Sequence, residues 1–365
     1  MLFDLRPKED KKELFGREQE LKKLLAALSS DCPLILLLGI RRVGKTSLLK
    51  VALKECGQPH IYLDLRTLAE EGYSKVVLYR LLSEELSHLR PATKLRELLR
   101  TIRGIGVYGV KVELDWGRGG AALSSLFKAL NEWAKEKKKY LIMALDEAQL
   151  LRCLTGGKGR IDFKSLLAYS YDNLSNLKFI LTGSEVGLLM DFIGADDPKS
   201  PLYGRYREEV ILERFDRRTS IEFLKAGFKE RGLKVGADVL RKVVEKLDGI
   251  VGWLTYYGYE AVKRRSLDDG LVEEVFTEAK KIAEKEVEKV VQRSRHYRFV
   301  LKALGLGDKR WTEVKRTVEA WHGRPISNTH LTRLLEGLAK LGMVEKLNGS
   351  YHITDPIIRG VAKDL

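Results

Sequence analysis

The chain has 365 residues, 44% hydrophobic and 32% charged, with 66 Lys/Arg against 51 Asp/Glu and a net charge of +15. That length predicts two or three domains, the apolar share excludes a disordered chain, and no apolar run nears the ~20 residues of a membrane span. A pI near 9.5 invites a polyanionic partner, although Lys and Glu beside only four glutamines (Gln19, Gln58, Gln149, Gln292) also read as the charged coat of a heat-adapted protein.

Met1–Asp10 carries both signs of charge and no apolar core, unlike a signal peptide, so a cytoplasmic location is the expectation. Leu34–Leu38 is a short apolar run ended by Gly39, a buried strand. Gly39-Ile40-Arg41-Arg42-Val43-Gly44-Lys45-Thr46 follows, matches G-x-x-x-x-G-K-[ST] throughout and opens a helix over Ser47–Lys54. Glycines let such a loop curl so that its N–H groups face phosphates, and the helix N-terminus adds partial positive charge. Lys45 then reaches the β- and γ-phosphates of a nucleotide, and the Thr46 hydroxyl is a magnesium ligand.

Ile61–Leu65 reads as a second strand and Tyr73–Arg90 as an amphipathic helix. Gly104–Trp116 alternates in period two and predicts an inserted hairpin. Tyr140–Leu145 is a buried strand delivering Asp146-Glu147 at its C-terminal end, where α/β proteins bind ligands. Asp146 suits magnesium through water, and Glu147 suits polarisation of an attacking water. Leu177–Leu181 ends in Thr182-Gly183-Ser184. Either hydroxyl, Thr182 or Ser184, can sense a γ-phosphate, and Ser184 can equally cap a helix over Glu185–Phe192.

Strands alternating with helices predict a parallel sheet covered on both faces. Val210–Leu212 offers one last strand, after which Arg217–Lys289 is almost wholly helical, with breaks at Gly232–Gly236, Gly249–Gly252 and Asp268–Gly270. From His296 onward, short helices precede Met343–Leu347, Asn348-Gly349 and Tyr351–Thr354, the pattern of a winged helix-turn-helix with an Asn-Gly hairpin. Residues 291–365 hold fourteen Lys/Arg and seven Asp/Glu, net +7. Ile326–Lys340 is the expected recognition helix. Ser327, Asn328, His330, Thr332 and Arg333, with Lys346 near the wing, are its candidate DNA contacts; docking of a protein partner is the alternative. Cys32, Cys56 and Cys153 read as free thiols, a Cys32–Cys56 disulfide being the alternative. The six histidines lie far apart in sequence and predict no metal site.

Together these residues resemble the archaeal ATPases of the AAA+-related STAND class over nearly the whole chain. Phe15-Gly16-Arg17-Glu18 is similar to the motif that lies against adenine and ribose in that class. Gly39–Ser47, with Ile40, Arg41, Arg42, Val43 and Ser47, resembles its phosphate loop, and Leu145-Asp146-Glu147 its second motif. Ser200-Pro201-Leu202-Tyr203-Gly204-Arg205 resembles the segment closing the ATPase core, which makes Arg205 a candidate arginine finger or sensor; an ion-paired surface arginine beside Glu208 and Glu209 is the alternative. Gly249–Leu254 resembles the lid motif, with Val251 where the class has proline.

The expected fold is an α/β P-loop NTPase core (1–212), a helical lid (213–291) and a C-terminal winged helix (292–365). The expected function is magnesium-dependent ATP hydrolysis, with ATP and ADP as ligands. It would drive a switch coupled to double-stranded DNA or a protein partner through the winged helix. Lys45, Glu147, Thr182 and Arg205 are the candidate catalytic residues; Thr46 and Asp146 would hold magnesium. The alternative is a DNA-binding regulator in which nucleotide is a structural ligand. A kinase would need an acceptor pocket that the sequence does not display.

Overall fold

The computed structural model describes residues 1–89, 93–115, 122–154, 162–194 and 196–365. Five parallel strands, β1 (Leu34–Leu38), β2 (His60–Asp64), β5 (Leu141–Asp146), β6 (Leu177–Gly183) and β7 (Glu208–Ile211), form one sheet in the order β2-β5-β6-β1-β7. Period-two alternation divides their side chains between two cores. Leu34, Leu36 and Leu38 of β1, with Met143 and Leu145 of β5 and Phe179 and Leu181 of β6, pack under the helices at 75–88, 123–136 and 163–173. Ile35, Leu37, Ile142, Ala144 and Ile180 face the helices Glu18–Ser29 and Lys45–Glu55. A sheet buried on both faces explains why its strands read as continuous apolar runs.

The register places the functional ends side by side. Asp64 lies opposite Asp146, Leu145 opposite Leu181, and Leu37 and Leu38 opposite Thr182 and Gly183. β1 runs between β6 and β7, so chain segments diverge around its C-terminal end and leave a crevice there.

The inserted hairpin is β3 (Ile105–Tyr108) paired with β4 (Lys111–Leu114); Trp116, like Arg90 of the expected helix, lies outside the described residues. The Ser83 and Ser87 hydroxyls accept the Leu114 and Val112 N–H groups at 3.0 and 2.9 Å, tying the hairpin to helix Lys75–His88.

Beyond the sheet, helices Arg217–Lys229, Ala237–Leu247, Val251–Arg264 and Asp269–Val291 form the expected helical region. Helices Arg295–Gly305, Trp311–His322 and Asn328–Lys340 follow, with a small sheet of β8 (Lys309–Arg310), β10 (Ser350–Ile353) and β9 (Val344–Leu347). Helix Asn328–Lys340, the expected recognition helix, starts two residues later than expected because Ser327 caps it, accepting the His330 N–H at 3.2 Å. Helix Pro356–Lys363, capped by Asp355, was not expected from sequence. The lid-like helices and the winged helix share one continuous apolar core, which also takes in Leu2 and Phe3. Phe3 is wedged where Cβ atoms on Gly227 or Gly258 would approach its ring to 2.3–2.4 Å. All three cysteines are free, so the disulfide alternative falls. Among the described residues no helix is long and apolar enough to cross a membrane.

Candidate active site

The loop after β1 is shaped by its backbone. Gly39 has φ +148°, and a Cβ there would meet the Leu212 carbonyl at 2.4 Å. Arg42 and Gly44 also take positive φ, 66° and 98°, and helix Lys45–Glu55 begins immediately after. The Lys45 side chain is folded back into the loop, only 6% exposed, and its Nζ donates to the Gly39 and Ile40 carbonyls at 2.8 and 2.7 Å. Burial pushes its pKa down to about 8, opposed by the charges of Glu147 and Asp146.

At the end of β5, Asp146 collects three hydroxyls. Thr46 Oγ1 and Tyr62 OH donate to Oδ2 at 2.9 and 3.0 Å, and Thr182 Oγ1 donates to Oδ1. Burial, then the Asp146 charge, raises the Tyr62 phenol, keeping it a donor. Thr182, expected as a γ-phosphate sensor, is fully buried. It is spent on Asp146 and on the Glu147 N–H, which it accepts at 3.2 Å. Ser184 lines the cleft instead.

Ser184 does not cap the following helix, whose start has no side-chain cap; its hydroxyl and N–H both donate to Glu147 Oε2, at 2.9 and 3.1 Å. Gln149 Nε2 donates to the same oxygen at 2.6 Å. Burial works to raise the Glu147 carboxyl, but the Gln149 bond, the Lys45 charge and the Ser184 bonds outweigh it and hold the group below the usual carboxylate range.

Lys45, Thr46, Glu147, Gln149 and Ser184 line a cleft of about 710 Å³, ample for a nucleotide. One end is aromatic: Phe15 packs edge-on to Phe215 and Phe223, with centroids 6.5 and 5.6 Å apart. Arg17 stacks 4.4 Å over Phe215 and donates to the Val43 and Glu213 carbonyls at 3.0 and 2.6 Å, tying the Phe15-Gly16-Arg17 turn to the phosphate loop. The Ser47 hydroxyl accepts the Lys8 N–H at 3.0 Å. Among the described residues no group of three or more His, Cys, Asp or Glu could hold a metal. The Thr46–Asp146 pair still fits magnesium, a hard ion that takes one or two protein oxygens and completes its shell with water and phosphate.

Arg205 is not brought to the cleft of its own chain. It forms a two-pronged pair with Asp172, at 3.1 and 2.6 Å, and stacks 5.6 Å from Tyr171. In the winged helix, Ser327, Asn328, His330, Arg333 and Lys346 are exposed. The Asn328 amide oxygen accepts from Lys315 at 2.8 Å, and Thr332 accepts from Trp311 at 3.2 Å. Three of the histidines that lie far apart in sequence meet in space: three helices bring His322 and His330 within 4.9 and 5.0 Å of His296, ring to ring. Sequence reading also missed Tyr62, Gln149, Glu185, Glu286, Trp253 and Asp355, which converge on this site from distant segments.

The profile of the "ATPase domain predominantly from Archaea" matches residues 14–257, and that of the MCM protein C-terminal winged helix-turn-helix domain matches 291–354. The chain is similar to the Walker-type ATPase paby2304 of Pyrococcus abyssi, with 38% identity over the whole of both chains and a TM-score of 0.84. A structure of the Aeropyrum pernix ORC2 protein, titled as ADPNP–ADP complexes, shares the fold at 16% identity and a TM-score of 0.61, covering 100% of this chain and 96% of that one. No functionally curated protein matches the sequence.

Proposed function

Since the chain belongs to the family of ATPase domains found predominantly in Archaea, we propose that it binds and hydrolyses ATP in the cleft after β1 and couples that cycle to its winged helix. The observation that carries this reading is the convergence of Lys45, Thr46, Asp146 and Glu147 at neighbouring strand ends. Lys45 leaves its two loop carbonyls to neutralise the β- and γ-phosphates, while the loop N–H groups hold the remaining oxygens. Thr46 and Asp146 would hold magnesium, which when bound screens the phosphate charge. Glu147 orients and polarises the attacking water through the oxygen not engaged by Ser184 and Gln149. Phe15, Phe215 and Phe223 form an apolar wall for the base. In this reading residues 1–212 are the ATPase core, 213–291 the lid and 292–365 the winged helix.

The winged helix would meet duplex DNA through Arg333, Asn328, His330 and Lys346, its exposed donors. A regulator in which nucleotide is a structural ligand is the second reading. It is favoured by the three donors that hold Glu147 in a weakly basic state. Phosphate release, measured with and without duplex DNA for the parent and for Lys45→Ala, tests both. Turnover by the parent that is lost in the variant supports the ATPase, and binding of ATP without turnover supports the regulator.

A further inference from the structure

The phosphate end of the cleft is closed by charges from three separate parts of the chain. Arg41 donates to Glu286 at 3.2 Å and to Glu185 at 3.1 Å. Arg42 donates to both Glu286 oxygens, one of them at 3.3 Å, and stands 3.8 Å from Asp355. Its guanidinium lies 4.2 Å over the Trp253 ring, and the Trp253 N–H donates to both Asp355 oxygens at 3.2 and 2.9 Å. The Arg42 carbonyl accepts the Gly252 N–H at 2.9 Å. Glu286 belongs to the long helix of the lid-like region, and Asp355 caps the last helix of the winged-helix region. Trp253 is buried in the apolar core that those two regions share. Resting on the reading of the cleft as a triphosphate site, we propose that Glu286, Asp355 and Trp253 form a latch on Arg41 and Arg42 that nucleotide phosphates release.

Charge drives the competition. Two guanidinium groups face three carboxylates in the latched arrangement, so bringing a triphosphate beside them adds several like charges at short range in a half-buried space. The arginines can serve the phosphates or the carboxylates, and a guanidinium fork fits either. The latch can open without melting the winged helix, because Asp355 keeps its cap bonds to the Ile357 and Ile358 N–H groups. Lid and winged helix are packed on one apolar core and would move together, uncovering Leu188 and Ile40, ATPase-core residues that touch it.

Elsewhere the seam is close-packed, and Lys340 pairs across it with Asp191 at 2.8 Å. Gly187 lies under Lys340, where a Cβ would come within 2.6 Å of the Lys340 Cα, and Gly342 sits against the Ser184 carbonyl. The recognition helix therefore rests on the segment that holds Glu147, by backbone contact. A small cavity lies along the same seam between Ile40 and Ile358.

The test uses the full chain with its three cysteines replaced and spin labels at Glu55 and Lys346, both exposed. Glu286→Gln keeps the side-chain shape and removes the charge; Glu288→Gln, on the exposed side of the same helix, is the control. The expected result is that Mg–ADPNP lengthens the label distance in the parent. Glu286→Gln should show the longer distance without nucleotide and bind ADPNP about 5–150-fold more tightly, the range of ordinary coupling between sites. The latch is overturned if Glu286→Gln keeps the parental distance and affinity, or if Glu288→Gln matches its effects. A parent that binds no ADPNP, beside a Glu286→Gln variant that still lengthens the distance, overturns the nucleotide reading and not the latch.

Discussion

Raising the pH should weaken ATP binding through Lys45. In the free protein its ammonium is buried against two carbonyls and its pKa is pushed down to about 8, whereas between phosphates the charged form is strongly favoured. With a free-state pKa of about 8 and the ordinary value of 10.5 restored between phosphates, the charged fraction falls enough between pH 7.5 and pH 9 to cost roughly eightfold in affinity, and binding at pH 9 takes up nearly one proton. The sign for folding follows the same shift: the unfolded chain binds the extra proton between about pH 8 and its ordinary value of 10.5, so this group's contribution to stability rises with pH across that window. Calorimetry of Mg–ATP binding in two buffers of different ionisation enthalpy, at pH 7.5 and pH 9, reads both quantities. Equal affinities and no buffer-dependent heat would refute the reasoning, because they mean the lysine is already charged and available before nucleotide arrives.

Glu147→Gln should retain ATP binding while phosphate release slows by roughly 10²–10⁴-fold; an unchanged rate in a phosphate-release assay would remove Glu147 from the chemistry. Ser184→Ala takes a hydroxyl donor from Glu147 Oε2, so the acid limb of the pH–rate profile should move upward, and a fixed limb would show that this bond does not tune the carboxylate. Gly39→Ala places a methyl against the Leu212 carbonyl; thermal unfolding should show a loss of stability, together with failed nucleotide retention. Duplex binding by the full chain, followed by fluorescence anisotropy, should fall with salt at a log–log slope of about −0.9 per phosphate contact, and Arg333→Ala should weaken it. No binding at low salt would leave the winged helix as a protein-docking module.

The sheet was legible because its central strands, β1, β5 and β6, are buried on both faces and read as apolar runs such as Leu34–Leu38. The phosphate loop was legible because its glycines and Lys45-Thr46 act within eight consecutive residues. What failed to show were contacts between residues distant in sequence. Tyr62 meets Asp146, Arg42 meets Glu286 and Asp355, and Arg205 meets Asp172 through tertiary packing alone. The histidine cluster was hidden for the same reason, since three helices supply one ring each. The final helix did leave a local signal, Asp355-Pro356, in which the aspartate caps and proline occupies the first turn, where it needs no N–H partner. Which of Thr182 and Ser184 braces the carboxylates could not be read locally, because a strand-end hydroxyl is equally able to face a ligand or to bond the carboxylate beside it.

Phe3 carries a consequence for how the chain is made. Its ring is gripped between Gly227 and Gly258, helices synthesised more than two hundred residues later. At about 5–20 residues per second a ribosome needs on the order of 10–50 s to bridge that interval. Throughout it the apolar Leu2-Phe3 pair has no partner, while β1, its phosphate loop and the neighbouring strands can already assemble. The nascent sheet therefore stands with an open crevice and an uncovered apolar segment until the helix that carries Gly258 has been made.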